Sequence, residues 1–441
     1  MPFSVIIVGT GIAGLGAATA LAKKGHKVTV VEATSELRPI GGCIVLQANA
    51  NRVLHSLGVY ESLIPFCSPI PHGPSTRRYD TGEFLAQTSA EAHENEYGYP
   101  LWPVHRANLQ HVLFEAAMKQ GVVLKLGCLV TAVEEDNLEL SVVINGQDRM
   151  YADVIVGADG KSTKKAVLES DELTPAGIHS TVRRNIVPDS ACVRDSGIDI
   201  TRANIPAAAI RSDPTTSMFL DHISLWCGPS SSIAAMAVRL GDEWVLGVDC
   251  CHERDDVVSE TPHRTQDIER FKAHFKDYHP AILQMLSYVT EANVWRLKEA
   301  TPPTWIGTSG RVILIGDAAH GSLPWVGQGG GMALEDAVCL AVCLERAKDV
   351  KDIPAALKVF QDIRQPRCKK VQEWSATKGQ RARLTGGSNQ QERDSKIVKA
   401  NAWIKADPWD KVHIDELPEF EAPNWKAWLS GHNAVDYVKT A

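Results

Sequence analysis

The chain begins with an apolar run, Val5 to Val8, that breaks into glycines and then into small and apolar residues, Ile12 to Leu21. A second apolar run, Val28 to Val31, follows and ends on Glu32. Short continuous apolar runs of this kind predict strands buried on both faces, and the segment between them predicts a crossover helix. Arg106 to Gly121 patterns as an amphipathic helix, and Leu124 to Val156 alternates as strands that end in Ala152-Asp-Val-Ile-Val-Gly157. Between these pieces, Pro65 to Pro103 is rich in proline and polar turns. Strands are predicted at Ala207–Ile210, Ser224–Trp226, Ile233–Leu240 and Trp244–Cys250, separated by Gly-Pro, Gly-Asp and Asp-Pro turns. Val312 to Ile315 returns to the buried-strand pattern and leads to a helix over Met332–Arg346. Pro354 to Arg383 predicts a long helix, kinked or interrupted at Pro366. The tail carries Trp403, Trp409, Trp425 and Trp428 among charges and prolines, and is expected to dock on the body as short helices.

A chain of 441 residues, 44% apolar and 22% charged, has enough apolar residues for one large α/β core and a smaller domain. Its net charge is −7 and no basic stripe interleaves with aromatics, so nucleic acid is not an expected partner. Ten cysteines are scattered without CxxC or a His/Cys cluster of metal-ligand spacing. No metal site is therefore expected, and the thiols, including the adjacent Cys250 and Cys251 and the helical Cys339 and Cys343, read as buried in a reducing compartment. The N-terminus lacks a basic leader and cleavage site, and no apolar run approaches the roughly 20 residues of a membrane span. A cytoplasmic protein, monomer or homodimer, is expected.

Val5-Ile-Ile-Val-Gly-Thr-Gly-Ile-Ala-Gly14 is a strand running into GxGxxG. Gly9 permits the tight turn, Gly11 lets backbone approach a pyrophosphate, and Gly14 lets the helix lie close to the sheet. Free backbone N–H groups and the helix dipole favour an anion there, while Glu32 is placed to accept hydrogen bonds from an adenosine ribose. Strand, spacing, helix and acid agree on dinucleotide binding.

A second strand, turn and helix reads Arg311-Val-Ile-Leu-Ile-Gly-Asp-Ala-Ala-His320, then Gly321-Ser-Leu-Pro-Trp-Val-Gly-Gln-Gly-Gly-Gly-Met332. GxGxxG followed by GDAAH, Pro324 and GQGGG resembles the FAD-dependent single-component aromatic hydroxylases, the class of salicylate and para-hydroxybenzoate hydroxylases, from about Val5 to about Leu344. The resemblance implies that Asp317 hydrogen-bonds the flavin ribityl chain, and that the backbone from Gly327 to Met332, Gly330 included, faces the isoalloxazine. Val104 to Ala117 is similar to the family's Arg-x-x-Leu helix, which makes Arg106 the FAD-reaching arginine. Leu37 to Ala50 is similar to the loop along the flavin, with the backbone at Gly42 and Cys43 against the cofactor. His320 reads as a packing or hydrogen-bonding residue rather than a proton shuttle. Thr201-Arg-Ala-Asn-Ile-Pro206 resembles the segment where many fungal members place a catalytic arginine, so Arg202 is the candidate for polarising a phenolate or carboxylate; pairing with an acid on the sheet is the alternative. A tyrosine common on the following strand is absent, with Met236 near its position.

Members of the family carry Gly-Ala-Asp-Gly, two residues, then Ser-x-Val-Arg. Here Val156-Gly-Ala-Asp-Gly160 and Ile178-His-Ser-Thr-Val-Arg183 are separated by Lys161 to Gly177. Removing that segment makes the motif continuous. It reads either as a translated short intron, expected to be exposed and poorly packed, or as a genuine surface loop.

The expected fold is therefore α/β: a discontinuous Rossmann-like FAD-binding domain over 1–185, interrupted at about 65–103 by substrate-domain segments, a mainly β substrate sheet over 186–300, a return to the FAD domain over 301–345, and C-terminal helices and tail over 346–441. The expected function is an NAD(P)H- and O2-dependent monooxygenase with FAD as cofactor, which the resemblance implies hydroxylates a small phenolic or other aromatic molecule, polyketides included, through a flavin C4a-hydroperoxide. With one dinucleotide fingerprint, NAD(P)H is expected to bind transiently. A terpenoid-type flavin epoxidase, or a flavoprotein inactivated by the 161–177 insertion, are the alternatives.

Overall fold

Val5 to Val8 lie at the centre of a five-stranded sheet whose order is Val312–Leu314, Val154–Gly157, Ser4–Val8, Lys27–Val31, Val123–Lys125. All four pairings are parallel, with Val5 opposite both Val154 and Val28. This is the sheet type that buries strands on both faces and ends them in ligand-binding loops at its carboxyl edge. The computed structural model describes residues 1–37, 41–70, 72–136, 139–160, 178–254, 267–384, 386–403 and 425–440. Lys161 to Gly177, read above as intron or loop, lies outside them, as does Trp409.

Helix Ile12–Lys23 approaches helix Gly329–Glu345 closely because the interface is built of small residues. A Cβ added to Gly16 would stand 3.3 Å from the Ala337 methyl. An antiparallel three-stranded sheet, Val130–Glu135, Leu140–Ile144 and Asp148–Tyr151, flanks this layer. A two-stranded ribbon pairs Cys43–Leu46 with Trp102–His105.

The second large sheet has seven strands in the order Asn293–Ala300, Val193–Pro206, Glu243–Glu253, Ser231–Leu240, Ile223–Gly228, Pro74–Arg78, Phe84–Gln87. One face carries Ile205, Trp226, Ile233 and Leu246, packed with Phe271 and Ile282 of helices Ile268–Ala273 and Pro280–Ser287. The opposite face carries Ile200, Cys227 and Cys251 against Leu323 and Trp325, and Met236 and Val238 against Cys43. Period-2 alternation thus aims one set of side chains at a helical cover and the other at the loops of the parallel-sheet layer.

Two expectations are corrected. Ala207–Ile210 is not a strand but the body of helix Ala207–Ser212. Its three consecutive alanines favour helix, and Pro206 ends the preceding strand because it has no N–H for the ladder. The long helix Ile353–Ala382 runs through Pro366, so of the two expected outcomes, a kink or an interruption, it is the interruption that is ruled out. A mid-helix proline costs about 3 kcal/mol, and here the flanking side chains anchor the turn: Arg364 and Arg367 enter buried ion pairs, and Gln365 donates to the carbonyls of Pro302 and Pro303.

Helices Trp425–Ser430 and Ala434–Thr440 dock on this body. Trp428 meets Trp374 edge to face at 5.0 Å and lies under the Arg367 guanidinium at 4.5 Å. Arg52 donates to the carbonyl of His432 at 2.9 Å. No helix among the described residues is long and apolar enough to cross a membrane.

Candidate active site

At the carboxyl end of the first strand Gly9 takes φ +106°, a region that side chains rarely adopt, and a Cβ there would lie 2.7 Å from the Ala158 carbonyl oxygen. A Cβ on Gly14 would overlap the Gly9 carbonyl. These two glycines are demanded by the protein's own packing. Gly11 is not: the nearest atom to its missing Cβ is the Arg106 Nη2, at 3.8 Å. The bare backbone of Gly11 therefore leaves room for something other than protein. Helix Ile12–Lys23, which starts there, has no side-chain cap and no acid in its first turn, so its N-terminal N–H groups face that room.

Glu32 is fixed beside the same turn. One carboxylate oxygen accepts from the Thr10 N–H (3.1 Å) and hydroxyl (2.7 Å), the other from the Thr34 N–H (3.0 Å) and hydroxyl (3.1 Å). Gln110 holds the Thr10 carbonyl at 2.8 Å. Thr10, Thr34 and Gln110 were not singled out by the sequence pattern, which carries no signal for residues that brace a ligand's partner.

Arg106 begins helix Arg106–Lys119, capped by the His105 Nδ1, which accepts the Ala107 N–H at 3.2 Å. With Nδ1 accepting, Nε2 carries the proton and donates to the Gly41 carbonyl; burial lowers the His105 pKa and this bond opposes it. The Arg106 stem lies against Gly41, where a Cβ would sit 3.0 Å from its Cδ. Burial lowers the Arg106 pKa, opposed by the Asp317 carboxylate and reinforced by the Arg202 guanidinium. Arg106, Asp317 and Arg202, far apart in sequence, thus share one electrostatic environment.

Arg202 reaches this place from the seven-stranded sheet. It lies over Gly42, where a Cβ would stand 2.9 Å from the arginine Cδ and Nε. Its Nε donates to Asp249 at 3.2 Å and its guanidinium stands 5.3 Å from the Trp295 ring centroid. Asp249 is its direct cross-strand neighbour. Cys43 contributes backbone to the ribbon opposite His105, while its buried thiol faces Gly247 on the substrate-side sheet. Burial, then Asp249, pushes that thiol's pKa up, so it stays protonated.

On the third side, Gly316 at φ +58° turns the strand into the short helix Asp317–His320. A Cβ on Gly160 would come within 2.6 Å of the Asp317 Cβ, which brings the broken GADG motif onto the GDAAH turn. Helix Gly329–Glu345 likewise has no side-chain cap at its N-terminus and no acid in its first turn. Gly329 and Gly330 have no atom closer than 3.9 and 3.7 Å to an added Cβ, so this end too is bare by choice of residue.

Residues 3–375 match the FAD binding domain family. The chain belongs to that family. It is 30% identical over 409 residues to the 3-amino-4-hydroxybenzoate 2-monooxygenase PtmB3 of Streptomyces platensis, covering 91% of this chain and 95% of the relative. It is 26% identical over 447 residues to the FAD-dependent monooxygenase OpS4 of Beauveria bassiana (strain ARSEF 2860), across 100% and 97% of the two chains. The fold is shared with a salicylate hydroxylase substrate complex at TM-score 0.76 and 21% identity, over 99% and 97% of the chains. The protein is an FAD-dependent monooxygenase, as its motifs imply.

The residues present fit FAD. Two uncapped helix N-termini, the space over Gly11 and the braced Glu32 offer what a pyrophosphate, a reduced flavin and a ribose need. Behind this flavin monooxygenase site lies a buried polar network that the sequence reading missed. Gln328 and Asn49 exchange amide hydrogen bonds, and Asn49 donates to Glu335 at 2.7 Å. Arg367 and Arg364 pair with Glu335, and Arg364 with Asp336 at 2.8 Å. Asp336 in turn accepts from the Gly316 N–H and from His320 at 2.5 Å. His320 is thus a structural hydrogen-bonding residue tying the GDAAH turn to the glycine-run helix. Cys368 joins His320 and Asp336 in a buried donor triad, with the Arg364 guanidinium 3.5 Å from its sulfur.

Proposed function

We propose that this monooxygenase uses NAD(P)H and O2 to hydroxylate a small phenolic or similarly electron-rich aromatic molecule held between the loop at Gly41–Cys43 and the Arg202 face of the seven-stranded sheet. One observation carries the reading: the side chain of Arg202, from the sheet, rests on Gly42 while that of Arg106 rests on the adjacent Gly41. A cation on the sheet and the loop expected along the flavin therefore meet at one point. PtmB3 and the salicylate hydroxylase are both named for aromatic substrates, which supports the same reading.

In this proposal Gly9, Gly11, Gly14 and Glu32 take the adenosine diphosphate portion, Arg106 the pyrophosphate side, Asp317 the ribityl chain, and the backbone at Cys43 and Gly330 the isoalloxazine. FAD, when bound and reduced, supplies the activation of oxygen. The chain positions the ring, excludes water with Met236, Leu323 and Trp325, and orients a ring hydroxyl with the Arg202 donors. We assign the FAD-binding part to 1–185 and 301–345, with 65–103 and 186–300 forming the substrate part and 346–441 the bracing helices. The protein works in the cytoplasm as a monomer or homodimer. Against an inactive flavoprotein stands the intact contact between the two halves of the interrupted motif, Ser180 to Asp159.

The test is direct. The purified protein is expected to be yellow, to oxidise NAD(P)H faster when phenols are added, and to yield products heavier by one oxygen atom. A protein without flavin, or one whose NAD(P)H oxidation no aromatic compound stimulates, overturns the reading.

A further inference from the structure

Helix Gly329–Glu345 starts on a residue able to close its own N-terminus. Gln328 is the N-cap position, and an N-cap side chain ordinarily accepts the N–H of the second or third helical residue. The third is Gly331. The Gln328 Oε1 stands 2.7 Å from where a Gly331 Cβ would be, so the acceptor lies over the turn it is able to cap. It makes no such bond. Asn49, on the helix Ala48–Leu57 that follows the ribbon strand Cys43–Leu46, holds both ends of the carboxamide instead: its Nδ2 donates to Gln328 Oε1 at 2.8 Å and its Oδ1 accepts from Gln328 Nε2 at 3.2 Å. Both amides are buried. The same Nδ2 also donates to Glu335 at 2.7 Å, and Glu335, paired with Arg364 and Arg367, is a carboxylate that only accepts. That one-way partner sets which side of Asn49 carries the N–H groups, and Asn49 in turn sets which way Gln328 lies.

We propose that Asn49 is a positioning residue that keeps Gln328 from capping helix Gly329–Glu345, and so keeps that helix end open to the flavin. The proposal rests on the reading that the glycine run faces the isoalloxazine, and names what holds it ready. A carboxamide oxygen bonded to the Gly331 N–H would use up one of the helix's open donors and place partial negative charge at the positive end of the dipole, where a reduced flavin needs its own negative charge stabilised. Local side-chain-to-backbone bonds of this kind form when nothing else claims the side chain. Here Asn49 claims it from 279 positions away.

Equilibrium dialysis of the holoenzyme against FAD measures the affinity that this helix end helps to set. Asn49→Ala releases Gln328 and is expected to weaken FAD binding about five- to tenfold, the worth of one cap bond turned from the cofactor to the side chain. Adding Gln328→Leu removes the competing cap, and the double variant is expected to recover to within about twofold of the parent. A merely structural Asn49 gives the opposite order, since losing a second buried partner adds to the damage. Asn49→Ser keeps a hydroxyl on the Glu335 side but cannot grip both ends of the Gln328 carboxamide; it carries the test, again with and without Gln328→Leu, if Asn49→Ala does not fold. Parent-like affinity in the Asn49 variant, or a double variant as weak as the single one or weaker, overturns the proposal. Gly330→Ala separates this from the reading beneath it, because the nearest protein atom to the new Cβ is 3.7 Å away and only the cofactor is left to oppose it. Flavin affinity unmoved by Gly330→Ala takes the glycine run away from the cofactor, and the proposal with it; a loss there beside an inert Asn49→Ala sinks only the role given to Asn49.

Discussion

The Ser180 hydroxyl donates to the Asp159 carboxylate at 2.5 Å across 21 positions of chain, and the same carboxylate accepts the Thr181 N–H at 2.7 Å. Ser180 also caps the helix Thr181–Ile186 through the Arg183 N–H. The buried Arg183 guanidinium donates to the carbonyls of Ile178 and Ala318 and pairs with Asp189. Gly160 packs on Asp317 and Ile178 on Gly321, two positions at either end of one short helix. The motif is therefore assembled in space although it is interrupted in sequence. Deleting residues 161–177 is expected to leave thermal stability and flavin content at least at the level of the full chain, because both ends already rest on the same element. Ser180→Ala removes a hydrogen bond to a buried carboxyl and a helix cap, and is expected to cost about 1.5–3 kcal/mol in denaturant unfolding. A deletion variant that loses its flavin or does not fold, or a Ser180→Ala protein of unchanged stability, would contradict this account.

Glu32 and Asp317 are expected to govern cofactor retention. Glu32→Ala frees the hydroxyls of Thr10 and Thr34 and removes the acceptor set beside the glycine turn. Asp317→Ala removes the carboxylate that acts on Arg106. A hydrogen bond involving a charged group is worth about 1.5–3 kcal/mol, or roughly one to two decades of affinity. Flavin content after dialysis should fall in both variants while the circular dichroism stays native. Full flavin retention in both would remove these residues from the binding site.

The parts of this fold that were legible in sequence are those where one residue type satisfies a local geometric demand. Gly9 must occupy a positive φ and Gly14 must admit a carbonyl, so the glycine spacing names both the turn and the helix behind it. The alternation of Ile233–Leu240 and Trp244–Cys250 marks strands because one face is always buried. Ala207–Ile210 misled for the converse reason: four apolar residues carry no period, and the helix preference of three alanines behind Pro206 decided the element. Asp249, Asn49 and Glu335 were invisible because their roles depend on cross-strand or interhelical partners up to 286 positions away. The same holds for His105, whose ring joins a helix start to the Gly41 carbonyl.

Arg364 tests the network behind the site. It is fully buried, pairing with Glu335 at 2.7 Å and Asp336 at 2.8 Å. Breaking a buried pair by removing one partner costs about 3–5 kcal/mol, because the remaining charges are left uncompensated. Arg364→Met is therefore expected to unfold at much lower denaturant concentration than the parent. Asp336 also holds the Gly316 N–H, so flavin release on heating should begin earlier as well. A midpoint within experimental error of the parent would show the ion pairs to be dispensable.

The buried histidines set the sign of the acid response. Burial, with Lys426 adding to it, lowers the His93 pKa from its ordinary 6.5 to about 4, and burial with Arg367 drives that of His432 well down. Each stays neutral in the folded protein while its unfolded counterpart takes up a proton. The stability this neutrality preserves is complete above pH 6.5 and is lost as pH falls from 6.5 towards 4, since protons then favour the unfolded chain. For His93 the full loss is roughly 3 kcal/mol. Glu335 and Asp336, held low by their arginine and histidine partners against the opposing effect of burial, act in the same direction at still lower pH. Replacing His93 by Gln removes one titrating group, so the melting temperature of His93→Gln should fall less steeply between pH 6.5 and 4.5 than that of the parent. Parallel curves for the two proteins would mean that His93 ionises alike in the folded and unfolded states.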